Sequence, residues 1–219
     1  MFHEDDEDQQ PEPLSPLMEA IVPKLASCRI REYAPEDLDA CIEIYHSNEP
    51  DFLSPEGLDH FVEFLQSGTS YLLVVENGGD VIGCGGLELV GDSDTAMLMH
   101  GMIHREYHRR GFGTTLLAAR IALLETDERP LELWLRTPPR AAGFYDRFGF
   151  RLEKLDLDRP NRRRDHGAFS LQLEPQDILD VRDALEEREI RIHLDDQEDE
   201  EEEADEMGEE ELGEDDERN

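Results

Sequence analysis

Lysine is almost missing from this chain. Lys24 and Lys154 are the only two in 219 residues, and with nineteen arginines they face 56 acidic residues, for a formal net charge of −35 with every histidine neutral. A charge this negative repels phosphate backbones and anionic headgroups, which argues against nucleic acid and membrane surfaces as partners. No apolar run approaches the roughly 20 residues that span a bilayer. The first residues carry acids where a secretory signal needs bases and an apolar stretch, so the expected location is cytoplasmic. Three cysteines, Cys28, Cys41 and Cys84, form no CxxC pair and no metal-ligand spacing. Reduced, buried thiols and no metal site are expected.

The charge is not spread evenly. Residues 1–13 hold six acids and no Lys or Arg, and residues 195–219 hold seventeen acids against Arg218, so the two ends carry −22 and residues 14–194 carry −13. The tail has no aromatic or β-branched residue. Such composition cannot bury enough apolar area to offset ordering entropy, so both ends are expected to be disordered. Residues 14–27 read as a short lead-in, with Ser15-Pro16 starting a helix whose face is Leu17, Met18, Ile21 and Leu25. Residues 28–174 carry the regular signals of one domain. A helical extension follows at 175–194.

Within that domain, 28–33 alternates as a half-buried strand does. Pro35 opens a helix with Leu38, Cys41, Ile42 and Tyr45 on one face, and Ser54-Pro55 opens another with Leu58, Phe61, Val62 and Leu65. Two apolar segments, 71–75 and 81–90, flank Asn77-Gly78-Gly79-Asp80, residues that supply the positive φ angles of a tight hairpin. Strands at 95–104, 131–135, 150–155 and 168–173 and helices at 114–125 and 141–148 complete the pattern, with a last helix over 175–189. Three consecutive strands followed by a β-α-β unit predict an α/β fold with a mixed sheet and helices on its faces. The run Gly83-Cys84-Gly85-Gly86 marks close backbone approach or a bulge.

The segment richest in chemistry is Ile103-His104-Arg105-Glu106-Tyr107-His108-Arg109-Arg110-Gly111-Phe112-Gly113-Thr114-Thr115-Leu116-Leu117. It leaves a strand, crosses a basic loop and enters a helix. Converging N–H groups, a helix N-terminus and two arginines make an anion site, with phosphate or pyrophosphate the natural occupant. The dinucleotide fingerprint fails because Leu116 stands at its third glycine, and the P-loop fails for want of lysine.

His108-Arg109-Arg110-Gly111-Phe112-Gly113 resembles the acetyl-CoA pyrophosphate loop of the GNAT acyltransferases, Arg/Gln-x-x-Gly-x-Gly/Ala, with His108 departing at the first position. Ala141-Ala142-Gly143-Phe144-Tyr145-Asp146-Arg147-Phe148-Gly149-Phe150 resembles the family's A-x-x-F-Y-x-x-x-G-F segment. The likeness to bacterial or archaeal GNAT proteins covers about 28–174. It implies a splayed central sheet, acetyl-CoA as co-substrate, and direct transfer of the acetyl group to a primary amine of a small molecule or protein.

The same resemblance implies the site residues. Gly101, Met102 and Ile103 supply the backbone donor to the thioester carbonyl. Arg109, Arg110, Gly111, Phe112, Gly113 and Thr114 wrap the pyrophosphate. Tyr145 is the proton donor to the departing thiolate. The general base has three candidates: His100, Glu132, and a water relay to Glu88. Pro138 stands where the family carries an Asn that contacts CoA. Glu49, Asp51 and Glu56, in the region expected to set acceptor specificity, would steer a cationic amine. The alternative reading is a catalytically degenerate acyl-CoA-binding module acting as sensor or scaffold. A monomer and a homodimer both fit the sequence.

Overall fold

The computed structural model describes residues 14–68, 71–91, 94–126, 129–155 and 166–194. The acidic ends and the basic cluster of Arg159, Arg162, Arg163 and Arg164 lie outside them.

Proline opens most of the helical segments, because the N–H it lacks has no partner in a first turn anyway. Pro16, Pro139 and Pro175 start α1 (Pro16–Ile21), α5 (Pro139–Asp146) and α6 (Pro175–Glu187). Pro35 and Pro55 start single 3₁₀ turns that run into α2 (Leu38–Ser47) and α3 (Leu58–Gln66). Cys41 and Tyr45 are buried on the inward face of α2 as expected, with Ile44 beside them in place of Ile42, which is only half-buried. The remaining helix is α4 (Phe112–Ala122).

The strands are β1 (Arg29–Glu32), β2 (Tyr71–Asn77), β3 (Asp80–Leu89), β4 (Thr95–Ile103), β5 (Leu131–Thr137), β6 (Arg151–Leu155), β7 (Gly167–Leu173) and β8 (Ile192–His193). They form one mixed sheet in the order β6-β7-β5-β4-β3-β2-β1-β8. β4 with β5 and β1 with β8 run parallel, and the other neighbours are antiparallel. The short β8 is too brief to leave a periodic signal and was not expected from the sequence. The hairpin falls at Gly78 and Gly79, both at positive φ, where it was expected.

Strand alternation divides the core into two layers. Leu72 and Val74 of β2 face α2 and α3, meeting Cys41, Tyr45, Phe61 and Leu65. Leu73 and Val75 face the other way, towards α4. That helix is buried on nearly every side, and apart from Thr114, Thr115 and Arg120 its buried side chains are apolar, as suits a helix enclosed by other elements. Its outer side packs on α1 and α6 through Leu17, Met18, Ile21, Ile178, Val181 and Leu185, so residues 14–27 share the domain's own core. Arg182 of α6 donates to the carbonyls of Ala122 (2.8 Å) and Leu124 (2.6 Å), satisfying acceptors that the last turn of α4 leaves without partners.

One ion-pair network ties β1 to the start of α2. The Arg31 guanidinium takes both Asp37 oxygens (2.7 and 2.8 Å) and Glu76 (2.8 Å), while Asp37 also accepts the Ala34 N–H. Burial alone would push the Asp37 carboxyl up, but Arg31 and the Ala34 N–H outweigh it and hold it below the usual carboxylate range. A depressed carboxylate stabilises the fold at neutral pH and loses that contribution as pH falls through its lowered value. Asp37→Asn is therefore expected to cost about 2–3 kcal/mol at pH 7. In urea titrations that gap should close in acid; a pH-independent gap would detach it from this carboxylate.

Candidate active site

β4 keeps two partners along its first half and one along its second. Thr95 lies opposite Glu132 and Leu98 opposite Leu135, and the pairing with β5 stops there. β3 keeps its hold further on, with Met102 opposite Cys84 and Ile103 opposite Gly83. A register shift between Cys84 and Gly86, with His100 at φ 43°, marks a bulge that bends β4 off its neighbour. β5 meanwhile continues to Thr137 against β7. The two strands part, and a wedge opens with exposed Gly101 on one wall.

Backbone alternation supplies this wedge with a donor. The His104 N–H goes to the Ile82 carbonyl on β3, so the Ile103 N–H points to the opposite edge, into the opening. The Ile103 carbonyl on that edge is taken, by Asn48 Nδ2 at 3.0 Å and by His108 Nε2 at 2.8 Å. His108, the departure from the family loop pattern, thus pins the loop to the end of β4. Its ring also stands edge-on to Phe52.

The loop then turns through Arg109 (φ 60°) and Gly111 (φ 98°) into α4. Any Cβ on Gly111 would strike the Lys24 carbonyl oxygen and the side chain of Ala26. Thr115 fastens the same contact, accepting the Ala26 N–H at 2.9 Å and donating to the Ala26 carbonyl at 3.0 Å. Thr114 and Thr115 N–H both return to the Gly111 carbonyl, so Phe112 and Gly113 present their N–H groups at the free end of the helix. The side chains of Phe112 and Thr114 are buried, which leaves their backbone as what an anion would meet. Arg109 is exposed, and the Arg110 guanidinium lies 5.3 Å from the Tyr107 ring centre. Arg105 is spent differently: it pairs with Asp51, which also takes Arg140 at 2.8 Å.

The second motif meets the first at Gly113. The Phe144 ring of α5 lies 3.5 Å from where a Gly113 Cβ would stand. The next residue, Tyr145, is 9% exposed and sits edge-on to Phe144 and Phe150. The Arg120 guanidinium of α4 lies against Gly101 on the wedge wall.

The base candidates fare differently. His100 turns to α3, its ring 4.5 Å from Phe64 and 5.3 Å from Phe61 between centres. Burial, with the His60 charge adding to it, pushes its pKa down to about 4, which makes it a weak proton acceptor. Glu132 lies beside Thr95 at the closed end of the β4–β5 pair, and at about 3.3 Å per residue this is some 26 Å of strand from Ile103. Glu88 is opposite Met97, also on the closed side. Glu49 was expected only as a steering charge. Its Oε2 meets His46 Nδ1 at 3.0 Å, while its Oε1 is buried without a hydrogen-bond partner. Its neighbours Ser47 and Asn48 bond to the Arg105 N–H and the Ile103 carbonyl, which fixes this loop at the end of β4. Asp51 is neutralised by two arginines, and Glu56 accepts from Ser54.

Among the described residues no cluster of His, Cys, Asp and Glu is arranged to hold a metal ion, and no helix is long and apolar enough to cross a membrane. The acetyltransferase (GNAT) domain family matches residues 68–152, a stretch that includes β4, the basic loop, α4 and α5. That match covers 85 of the 219 residues. The ribosomal-protein-S18-alanine N-acetyltransferase of Escherichia coli superposes on this domain with a TM-score of 0.55 at 21% identity, covering 68% of this chain and 95% of that one. The PaiA N-acetyltransferase of Thermoplasma acidophilum, solved with coenzyme A, gives 0.53 at 19%, covering 68% and 100%. YncA of Salmonella typhimurium, solved with its cofactor acetyl-CoA, gives 0.52 at 18%, covering 68% and 95%. At these identities the likeness is one of fold. A search of the curated proteins finds no match.

Proposed function

We propose that this GNAT domain transfers the acetyl group of acetyl-CoA directly to a primary amine, with a cationic acceptor entering beside Glu49. The observation that carries the reading is the parting of β4 from β5 immediately before the glycine-turned start of α4. A slender pantetheine-like arm fits such a wedge, and a pyrophosphate fits the N–H groups of Phe112 and Gly113 with Arg109 and Arg110 alongside. Acetyl-CoA supplies an activated acyl group and a thiolate leaving group. The Ile103 N–H is aimed where the thioester oxygen gains charge. Tyr145 Oη holds the proton that the leaving sulfur needs.

Glu49 completes the reading. A buried carboxylate oxygen without a partner is costly unless something cationic joins it, and an ammonium or its departing proton answers that need. Asp51 and Glu56 are already engaged, which leaves Glu49 as the acceptor carboxylate of the three steering acids. Glu49→Gln is expected to raise KM for the amine at least about tenfold while leaving KM for acetyl-CoA within twofold. Equal change in both constants would remove Glu49 from acceptor binding.

The reading as a whole is tested with acetyl-CoA and a panel of mono- and polyamines and peptides, following release of free thiol. Turnover on an amine supports it. Calorimetric binding of acetyl-CoA without turnover on any amine would favour the sensor or scaffold alternative, and absence of binding would end both.

A further inference from the structure

β5 runs past the point where β4 leaves it, and Arg136 is the first residue beyond the last paired position, Leu98 opposite Leu135. Leu133 and Leu135 are buried in the core that holds α4. By alternation Trp134 and Arg136 point to the other face, the one that α2 and α3 cover further along the sheet. Register carries that face outwards: Arg136 lies opposite Ala168 on β7, and Ala168 lies opposite Lys154 on β6. Among the described residues, Arg136, Lys154, Ala168 and His166 line one cavity of about 240 Å³.

Two full cations and an imidazole, from three separate segments, thus converge on one space in a region whose net charge is −13 over residues 14–194. With β7 between them, β5 and β6 stand about 10 Å apart. Ala168 occupies the middle position, and its small side chain leaves the gap open. Like charges in neighbouring positions of a sheet repel. An oxyanion between them converts that repulsion into charge-assisted hydrogen bonds, to the Lys154 ammonium on one side and the Arg136 fork on the other. Glu153, the acid at the bulge of β6, takes the Ser170 hydroxyl at 3.1 Å. The pyrophosphate position belongs to α4, on the opposite face of the sheet, so the cavity is a second and separate anion position.

We propose that this cavity seats an acidic group, a phosphate monoester or a carboxylate, carried by the acceptor amine itself. The inference rests on the acetyltransferase reading and names its acceptor class. The loop bearing Glu49 follows α2 on the same face and is fixed to the end of β4 through Ser47 and Asn48. Arg136 stands on β5, across the opening. An acceptor with an ammonium at one end and an oxyanion at the other therefore meets an acid on the β4 side of the wedge and cations on the β5 side. The layout also selects. A plain amine forgoes the second hold, and a polycation meets Arg136 and Lys154 with the wrong sign. Aminoalkyl phosphates and amino acids fit; polyamines do not.

The test uses the full chain saturated with CoA, so that the position at the start of α4 is filled, titrated calorimetrically with inorganic phosphate and with acetate. Tighter binding of phosphate assigns a phosphate monoester, and tighter binding of acetate assigns a carboxylate. Ala168→Leu fills the cavity and keeps every charge, and it should weaken the better anion at least about tenfold. Lys154→Gln should do the same without lowering the melting temperature, because Lys154 is exposed on an edge strand, and Lys154→Arg should retain most of the binding. Turnover is then compared for aminoalkyl phosphates, amino acids and plain alkylamines of matched length. The wild type should favour the acid-bearing acceptors at least about tenfold in kcat/KM, and Lys154→Gln should erase most of that preference through KM. Anion binding that Ala168→Leu leaves intact overturns the proposal, since the ion is then held by surface charge alone. Absence of anion binding overturns it too. Should Ala168→Leu not fold, undiminished binding in Lys154→Gln overturns it. Turnover on plain amines with no advantage to acid-bearing ones defeats this inference alone, whereas failure to bind CoA or to acetylate any amine defeats the acetyltransferase reading with it.

Discussion

Tyr145→Phe is expected to lower turnover about ten- to a thousandfold, the usual size of a lost general acid. The phenol is the one proton donor that α5 delivers beside the wedge, and its ring is fixed edge-on between Phe144 and Phe150. Phenylalanine keeps those ring contacts and removes only Oη. The acetyl-CoA dissociation constant should stay within about threefold, because binding depends on the loop and the start of α4. Steady-state rates with the best amine of the panel, beside a calorimetric titration, separate these effects. Turnover equal to wild type would remove Tyr145 from the mechanism.

Gly111→Val should be the most damaging single change. At φ 98° a β-branched residue is strained by roughly 1–3 kcal/mol before any neighbour is considered. Here the neighbours are the Lys24 carbonyl and Ala26, both backbone-anchored and unable to yield cheaply. Together they should cost more than about 3 kcal/mol and misdirect the N–H groups of Phe112 and Gly113. Acetyl-CoA affinity is expected to fall at least about a hundredfold in calorimetry. Gly78→Ala supplies the comparison: its φ is 67° but nothing lies within 4 Å, so only the strain remains. If the two variants melted alike, the collision at Lys24 would carry no weight.

The sheet and its helices were largely legible because their signals are local. Asn77-Gly78-Gly79-Asp80 fixes a hairpin by turn chemistry, and α3 follows from Phe61 and Leu65 recurring at helical spacing. Features made by contacts distant in sequence were not legible. Periodicity did not show that α2 turns Ile44 rather than Ile42 inward. Nor can it show that His100 is turned among Phe61 and Phe64, which lowers its basicity. Arg120 interrupts an otherwise apolar helix and would pass for a surface charge. The signal that points to it lies elsewhere, in Gly85 and Gly101, whose missing side chains make sense only once something large is known to lie against them. Glu49 was visible as a charge, but its unpartnered oxygen became apparent only with the loop folded.

Helix α4 is bracketed at both ends by residues remote from it in the chain. Lys24 and Ala26 seat its first turn, and Arg182 closes its last. Both brackets fall outside residues 68–152, the part that sequence likeness to the family picks out. A clone trimmed to that stretch would keep every motif residue named for acetyl-CoA and still lose the two clamps that aim them. The smallest self-sufficient fragment is thus set by these clamps, and its limits belong upstream of Lys24 and downstream of Arg182.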